Sequence, residues 1–187
     1  MARLRIISGE YGGRFISADV GRATQPMGDR VRSALFNMVD VDGKKVLDAY
    51  SGTGSIGLEA ISRGAKSVDF IEKDKRAQKI IEENIESLDV GDSTKLYKMG
   101  VKTFCDWYQE QVKGGEMEKY DVVFADPPYH LLPREFSTAM KLKNLVKSKG
   151  LMILSYSGRL PVPTVNGVVV VDNRRYGEAT LAVFSIL

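Results

Sequence analysis

Short apolar runs with a period of two alternate along most of the chain with segments of helical spacing. A period of two predicts a strand, and recurrence at three to four residues predicts a helix. The predicted strands after the N-terminal region are 45–49, 67–72, 94–98, 120–125, 150–156, 167–172 and 179–186, and the helices are 55–63, 75–88, 101–112 and 134–146. Strands that alternate with helices are typical of right-handed βαβ units. We therefore predict an α/β fold with a mostly parallel seven-stranded sheet flanked by helices.

The first 44 residues follow a different pattern. Two short extended runs, 3–8 and 14–18, are joined by a glycine-containing segment, which predicts a β-hairpin. Helical spacing begins at Asp29, with Asp29 itself placed as the N-cap. We predict a single domain over residues 1–187, with a basic hairpin extension at 1–28 and the core at 29–187. Since the sheet begins only at residue 45, deleting residues 1–18 is expected to leave a folded core.

The composition restricts the class of protein. The chain has 187 residues, 43% hydrophobic and 27% charged, which is ordinary for one soluble globular domain. The one cysteine, Cys105, excludes an internal disulfide and a multi-cysteine zinc site, and we predict no metal. No apolar run reaches the ~18 residues of a membrane span, and the first residues turn polar too early for a signal peptide. We therefore expect a cytoplasmic protein with no membrane partner.

The positive charge is concentrated at the N-terminus. Residues 1–35 hold six arginines and three acids (6 − 3 = +3), whereas residues 36–187 hold 21 basic and 21 acidic residues. Guanidinium groups pair with phosphates through two parallel hydrogen bonds, so this segment favours a nucleic-acid partner. A solvated hairpin that carries arginines by chance, or an Arg30 or Arg32 paired with Asp29, is the alternative. The candidate RNA contacts are Arg3, Arg5, Arg14, Arg30 and Arg32.

A glycine-rich segment follows the first predicted strand of the core and opens a helix. Gly52, Gly54 and Gly57 match G-x-G-x-x-G, and Glu72 ends the next strand, where an acid binds ribose hydroxyls. Both NAD and S-adenosylmethionine (SAM) sites use this geometry, and a glycine turn without a ligand has the same sequence. Asp48 favours SAM, because a carboxylate at the strand end attracts the cationic amino-acid tail of SAM and repels a pyrophosphate.

The apolar strand 120–125 is followed directly by Asp126-Pro127-Pro128-Tyr129. In open α/β sheets, ligands bind beyond the carboxyl ends of the strands, so this tetrapeptide is expected beside the glycine loop if the two strands are neighbours in the sheet. An exocyclic amine can donate one hydrogen to the Asp126 carboxylate and the other to the Pro127 carbonyl, while Tyr129 stacks on the ring. A simple turn is the alternative interpretation of these four residues.

Together, Asp48–Gly54 (DAYSGTG) and Asp126–Tyr129 (DPPY) resemble the SAM-dependent amino-methyltransferases. Asp29–Phe36 (DRVRSALF), Gly57–Gly64 and Phe70–Asp74 resemble one branch, the RsmD-type 16S rRNA (guanine-N2)-methyltransferases. This resemblance implies a Rossmann-like methyltransferase domain that uses SAM. It also implies methylation of the guanine at position 966 of bacterial small-subunit rRNA, on an assembling particle.

The resemblance also implies the site residues. The catalytic set is Asp126, Pro127, Pro128 and Tyr129. The cofactor set is Asp48, Tyr50, Ser51, Gly52, Thr53, Gly54, Glu72, Lys73, Gly100, Val101 and Asp126. One departure is the segment 98–102 (KMGVK), which lacks the acid that the family usually carries near the adenine amine. The alternatives are an N6-adenine nucleic-acid methyltransferase, a protein glutamine methyltransferase and a nucleotide-binding oxidoreductase.

Overall fold

The computed structural model describes residues 2–18, 27–129, 132–162 and 164–187, and for residues 132–134 it describes the backbone only. Nine strands and five α-helices are assigned within these ranges. The strands are β1 (Arg3–Arg5), β2 (Phe15–Ser17), β3 (Lys45–Ala49), β4 (Ser67–Ile71), β5 (Thr94–Tyr97), β6 (Tyr120–Ala125), β7 (Val146–Ser157), β8 (Val168–Tyr176) and β9 (Ala179–Ile186). The helices are α1 (Asp29–Met38), α2 (Ser55–Ser62), α3 (Lys75–Leu88), α4 (Val101–Lys113) and α5 (Leu132–Lys141).

Seven strands form one sheet in the order β5-β4-β3-β6-β7-β9-β8. The strands from β3 to β7 are parallel, and β9 runs antiparallel to both β7 and β8. The predicted α/β fold with its N-terminal hairpin is thus confirmed. The chain builds outward from β3 to β5 and then returns to place β6 on the other side of β3. The carboxyl ends of β3 and β6 therefore form a topological switch point, where open α/β sheets bind ligands.

The hydrophobic core has two layers, one on each face of the sheet. Successive β3 residues point to opposite faces, so Val46 joins one cluster and Leu47 joins the other. The first layer includes residues of α1, α2, α3 and the hairpin, and the second includes residues of α4 and α5. A strand buried on both faces tends to have a continuous apolar sequence, and the KVLDA sequence of β3 is close to this.

The β7 boundary differs from the prediction. The strand begins at Val146 rather than at residue 150, because Val146 already pairs with Tyr120 before a register shift. Lys149 adopts a left-handed conformation (φ 62°) within this irregular part. The preceding helix ends at Lys141, and a short 3₁₀ turn over residues 142–145 leads into the strand. The lysines at the start of β7 interrupt the alternation of apolar and polar residues. The sequence pattern therefore did not predict this part of the strand.

The N-terminal hairpin is integrated into the core, in contrast to the expected dispensable extension. Ile6 is fully buried and Ile16 is 2% exposed, and both belong to the first core layer. The Glu59 carboxylate of α2 is also fully buried, and it accepts hydrogen bonds from the backbone amides of Ile7 (2.7 Å) and Ser8 (3.1 Å). Removing residues 1–18 would expose apolar surface and remove two donors from a buried carboxylate, which is costly.

Candidate active site

The glycine loop between β3 and α2 has backbone conformations that its glycines allow. Gly52 (φ 55°) and Gly54 (φ 76°) are both left-handed, and no other atom lies within 4 Å of a Cβ built on Gly52. Gly57 has a different role, because a Cβ there would collide with the Phe70 ring of β4. The first two glycines thus shape an open loop, and the third allows close packing of the helix on the sheet.

Several hydrogen bonds fix the position of the loop. The Ser51 hydroxyl donates to the Asp48 carbonyl oxygen at 2.7 Å, and the Ser51 amide donates to the Ile71 carbonyl at 3.1 Å. On the other side, the Asn84 side-chain amide of α3 donates to the Thr53 carbonyl at 3.0 Å. The loop is therefore held by β4 and α3 before any ligand arrives. Preorganisation of this kind lowers the entropic cost of binding.

Asp48 presents a buried carboxylate oxygen without a partner. The side chain is 1% exposed, and its Oδ2 accepts a hydrogen bond from the Gly57 amide at 2.9 Å. Its Oδ1 has no hydrogen-bond partner among the described residues. Burial raises the pKa of Asp48 well above its ordinary value, against the effect of the Gly57 hydrogen bond. A cationic ligand group would satisfy this oxygen and favour the ionised form, which fits the ammonium group of a SAM amino-acid tail.

Glu72 lies directly after β4 and connects the two turns next to the site. Its Oε2 accepts from the Gly52 amide at 2.8 Å, and its Oε1 accepts from the amides of Lys73 and Asp74, both at 2.8 Å. Since an ionised carboxylate has about four acceptor positions, one remains for a hydroxyl donor. Lys73 itself is exposed. Asp74 caps α3 by accepting from two amides of the first helical turn.

The segment after β5 forms the next part of the same edge. Gly100 is the N-cap residue of α4, and Val101 begins the helix with 6% exposure. The Lys98 ammonium group pairs with Glu82 of α3 at 2.7 Å. The half-buried Met99 packs against the second core layer. Among the described residues, this position offers backbone amides and apolar surface in place of the acid usual in the family.

Asp126 lies beside Asp48 because β3 and β6 are paired. Phe124 is opposite Asp48 in the register, and the Asp126 amide points to the Ala49 carbonyl at 3.5 Å. Burial raises the pKa of Asp126 to about 6, while a hydrogen bond with Ser155 acts in the opposite direction. Asp126 as a whole residue is partly exposed. A carboxyl group with this pKa is mostly ionised at neutral pH and can accept a proton or a hydrogen bond.

Ser155 is a site residue that the sequence did not indicate. The register that pairs Ala125 with Leu154 places Ser155 next to Asp126, at the carboxyl end of β7. Its Oγ lies 2.7 Å from the Tyr129 hydroxyl, and the serine is 2% exposed. Burial of the phenol, the first cause, and the nearby Asp126 carboxylate raise the pKa of Tyr129 to about 12, so the phenol is neutral. A serine within an otherwise apolar strand (GLMILSY) was the signal available in the sequence.

Tyr50 and the two prolines complete this edge of the site. Tyr50 adopts a left-handed conformation (φ 61°), which is strained for a residue with a side chain. Its hydroxyl is buried and its pKa is raised, first by burial and then by the nearby Glu135 carboxylate. Pro127 is buried and Pro128 is half-buried, so the backbone between Asp126 and Tyr129 is held rigidly.

The prediction that Arg32 contacts RNA is wrong. Its side chain is fully buried, and its guanidinium donates to the Arg5 carbonyl at 2.6 Å and to the Asp29 carboxylate at 3.0 Å. It also lies 3.9 Å from the buried Glu59 carboxylate. Arg32 therefore joins α1, α2 and the hairpin. The predicted cap of α1 is corrected as well, since Gly28 is the N-cap residue and Asp29 is the first helical residue.

The remaining predicted arginines lie at the surface. Arg3, Arg5 and Arg30 are exposed. Arg14 is also exposed, but it donates to the Ser87 carbonyl of α3 and lies over the Tyr11 ring at 5.6 Å from the centroid. The surface positions of these four side chains are compatible with contacts to a polyanion.

Comparisons with known proteins identify the family. The family model described as "Conserved hypothetical protein 95" matches residues 4–185. Ribosomal RNA small subunit methyltransferase D of Haemophilus influenzae is 33% identical over 144 residues, which cover 75% of this chain and 72% of that protein. The chain therefore belongs to the RsmD-type family of SAM-dependent methyltransferases.

Solved structures agree with this assignment. A protein from Thermus thermophilus, TTHA0928, superimposes with a TM-score of 0.81 at 27% identity and covers 98% of this chain and 99% of its own. The Escherichia coli protein yhhF superimposes with a TM-score of 0.82 at 23% identity, over 99% of this chain and 98% of its own. At this identity, the second likeness establishes the fold alone.

The described part of the chain holds neither a metal cluster nor a membrane-spanning helix. Within residues 2–18, 27–129, 132–162 and 164–187, no group of three or more His, Cys, Asp or Glu side chains is arranged to hold a metal ion. Over the same ranges, no helix combines the length and apolar character that a membrane span requires.

Proposed function

We propose that this protein transfers a methyl group from SAM to the exocyclic N2 amine of a guanine in small-subunit rRNA. The observation that carries this proposal is the juxtaposition of two groups on paired strands. The unpartnered Asp48 oxygen lies at the end of β3, and the Asp126–Ser155–Tyr129 group lies at the ends of β6 and β7. A cofactor site and an acceptor site would therefore share one crevice.

The cofactor would be held by the elements that surround the glycine loop. Asp48 would receive the ammonium group of the amino-acid tail, and Glu72 would accept from the ribose hydroxyls. The first amides of α4, at Val101 and beyond, would lie near the adenine. Ser51, Gly52, Thr53 and Gly54 would line the intervening backbone, with Tyr50 and Lys73 at its margins. When bound, SAM supplies an electrophilic methyl group on a sulfonium.

Acceptor recognition would rest on Asp126 and the following prolines. The lone pair of a guanine N2 amine is delocalised into the ring, so the amine is a weak nucleophile. Two acceptors, the Asp126 carboxylate and the Pro127 carbonyl, would hold its two hydrogens and orient the lone pair. Ionised Asp126 would also stabilise the positive charge that develops on nitrogen. Tyr129, held by Ser155, would stack on the base, while the rigid Pro127–Pro128 backbone limits its movement.

Access to the amine requires an unpaired guanine. A paired and stacked amine lies out of reach of a crevice, so the base would be flipped out or come from an unpaired loop. The exposed Arg3, Arg5 and Arg30 would contact RNA phosphates. Recognition of rRNA in a small-subunit particle rests on the family to which the chain belongs, because the site geometry alone does not distinguish guanine from adenine.

The direct test is methyl transfer from tritiated SAM to small-subunit particles taken from bacteria that lack the corresponding enzyme. We expect label in N2-methylguanosine after digestion to nucleosides, and no label with Asp126→Asn. This variant should bind SAM within a few-fold of the native affinity, because the Asp126 carboxylate that it lacks would face the acceptor rather than the cofactor tail. Label in N6-methyladenosine, or in protein glutamine, would replace the proposed acceptor by one of the alternatives. Absence of transfer to any of these acceptors would contradict the proposed function.

A further inference from the structure

The outward face of the hairpin combines two arginines with one exposed aromatic ring. In the β1–β2 register, Arg5 is directly opposite Phe15, and Arg3 is opposite Ser17. Side chains of directly opposite residues share a face, whereas Leu4 and Ile16 point to the other face and into the core. Phe15 is 60% exposed, although most other phenylalanines of the described chain are buried. We call Arg3, Arg5 and Phe15 the hairpin platform.

The Asn84 side chain links β2, the strand that carries Phe15, to the glycine loop. Asn84 of α3 is 2% exposed, and its side-chain amide donates to both the Ser17 carbonyl and the Thr53 carbonyl, at 3.0 Å in each case. The Ser17 amide donates back to Asn84 Oδ1 at 2.7 Å. Since two strand residues span about 7 Å, Phe15 lies roughly that far along β2 from this junction. RNA seated on the platform would therefore lie close to the glycine loop.

The Phe15 ring is 60% exposed, so it is available for contact with another molecule. An isolated apolar ring fits either a protein groove or a nucleobase. The residues around this ring favour the nucleobase, because Arg5 lies directly opposite Phe15 and Arg3 lies on the same face, two residues away from Arg5 in β1. Single-stranded nucleic-acid sites combine aromatic rings that stack on bases with cations that bind the neighbouring phosphates.

We infer that Phe15 stacks on an unpaired base of the substrate RNA while Arg3 and Arg5 bind the flanking phosphates. The target guanine and the stacked base would then be two separate contact points on one RNA. This inference rests on the proposed function and adds to it a single-stranded contact outside the catalytic crevice.

The test compares Phe15→Leu, which keeps apolar volume, with Phe15→Trp, which keeps the ring. Methyl transfer to small-subunit particles should show a KM raised roughly tenfold in Phe15→Leu, and binding of protein-free 16S rRNA should weaken by a similar factor, with SAM affinity unchanged. Phe15→Trp should retain the native KM. Its added fluorescence, measured against the native Trp107 signal, should be quenched by a single-stranded RNA oligonucleotide and not by a duplex. Val169→Ala, which alters another exposed apolar residue on the edge strand β8, is the matched control.

The outcomes separate the inference from the proposed function. An unchanged KM in Phe15→Leu, with active native enzyme, would overturn the stacking contact alone. A KM raised on particles with unchanged binding of protein-free rRNA would also overturn it, because the ring would then contact a ribosomal protein. Lack of transfer by the native protein would contradict the proposed function, while fluorescence quenching in the Phe15→Trp variant would still test the contact.

Discussion

The Tyr129 hydroxyl lies 2.7 Å from the Oγ of Ser155, a residue 26 positions further along the chain. This contact joins the loop after β6 to the end of β7. It fixes the tyrosine ring beside Asp126, whose carboxylate interacts with the same serine. Ser155 thus positions the two side chains, Asp126 and Tyr129, that would contact the acceptor base.

We expect Ser155→Ala to lower kcat for methyl transfer roughly tenfold, with SAM affinity within a few-fold of native. The substitution removes a hydrogen bond from two acceptor-side groups and leaves the glycine loop intact. Tyr129→Phe should lower kcat less, because Ser155 can still interact with Asp126. Transfer kinetics and SAM titration calorimetry provide the measurement. Ser157→Ala, the same change two residues along β7, is the control, and equal rates for both variants would contradict a positioning role.

The pH dependence of kcat should reflect Asp126. Burial raises its pKa to about 6, and only the ionised carboxylate can accept from the amine and stabilise positive charge. Activity should therefore be constant above pH 7 and fall about tenfold per pH unit well below pH 6. A rate profile at saturating SAM measures this. An acidic limb centred near pH 4 would show that Asp126 is not the titrating group.

Asp126 should also lower the stability of the protein at neutral pH. Its folded-state pKa of about 6 exceeds the ordinary value of 3.8, so the folded state holds the proton more tightly. Stability should then decrease as pH rises from about 4 to 6, and the full penalty should persist above pH 6. Asp126→Asn should melt at a higher temperature than the native protein at pH 7.5, with a smaller difference at pH 4.5. A lower melting temperature at both pH values would contradict this assignment.

The free Asp48 oxygen should govern cofactor binding. Asp48→Asn keeps an oxygen for the Gly57 amide but removes the negative charge that would face the ammonium group. We expect at least tenfold weaker SAM binding, about 1.4 kcal/mol, by calorimetry. Asp121→Asn, at the amino ends of the same strands, serves as the control and should leave SAM affinity unchanged. Native affinity in Asp48→Asn would remove this residue from the cofactor site.

Arg30 and Arg32 should have opposite phenotypes. Arg32→Met breaks a buried ionic contact and should cost about 3 kcal/mol of unfolding free energy without altering the salt dependence of RNA binding. Arg30→Ala should leave stability within about 0.5 kcal/mol and reduce the salt slope by about one. Chemical denaturation and salt titrations of RNA binding distinguish the two. A reduced slope in folded Arg32→Met would contradict the structural role assigned here.

The sequence by itself determined the type and order of the core strands and helices, the glycine loop and the Asp126–Tyr129 segment, but not the bounds of α5, β7 and β8. These features depend on local periodicity and on turn residues whose conformational preferences act over a few positions. Gly52 and Gly54, for example, readily adopt the left-handed backbone that the loop uses. The order of βαβ units then placed Asp48 and Asp126 on one edge, because the carboxyl ends of parallel strands meet there.

Tertiary structure alone decided which residues of similar chemistry have different roles. Arg30 and Arg32 are identical in type and two positions apart, yet only Arg32 faces the core, where it lies 3.9 Å from the Glu59 carboxylate and donates to the Arg5 carbonyl of the hairpin. Ser155 enters the site through the β6–β7 register, which no pattern within β7 encodes. The hairpin became part of the core because Ile6 and Ile16 join the apolar layer that α2 and α3 also form. Each of these outcomes depends on a contact between segments distant in sequence, and such contacts are set by packing rather than by local propensity.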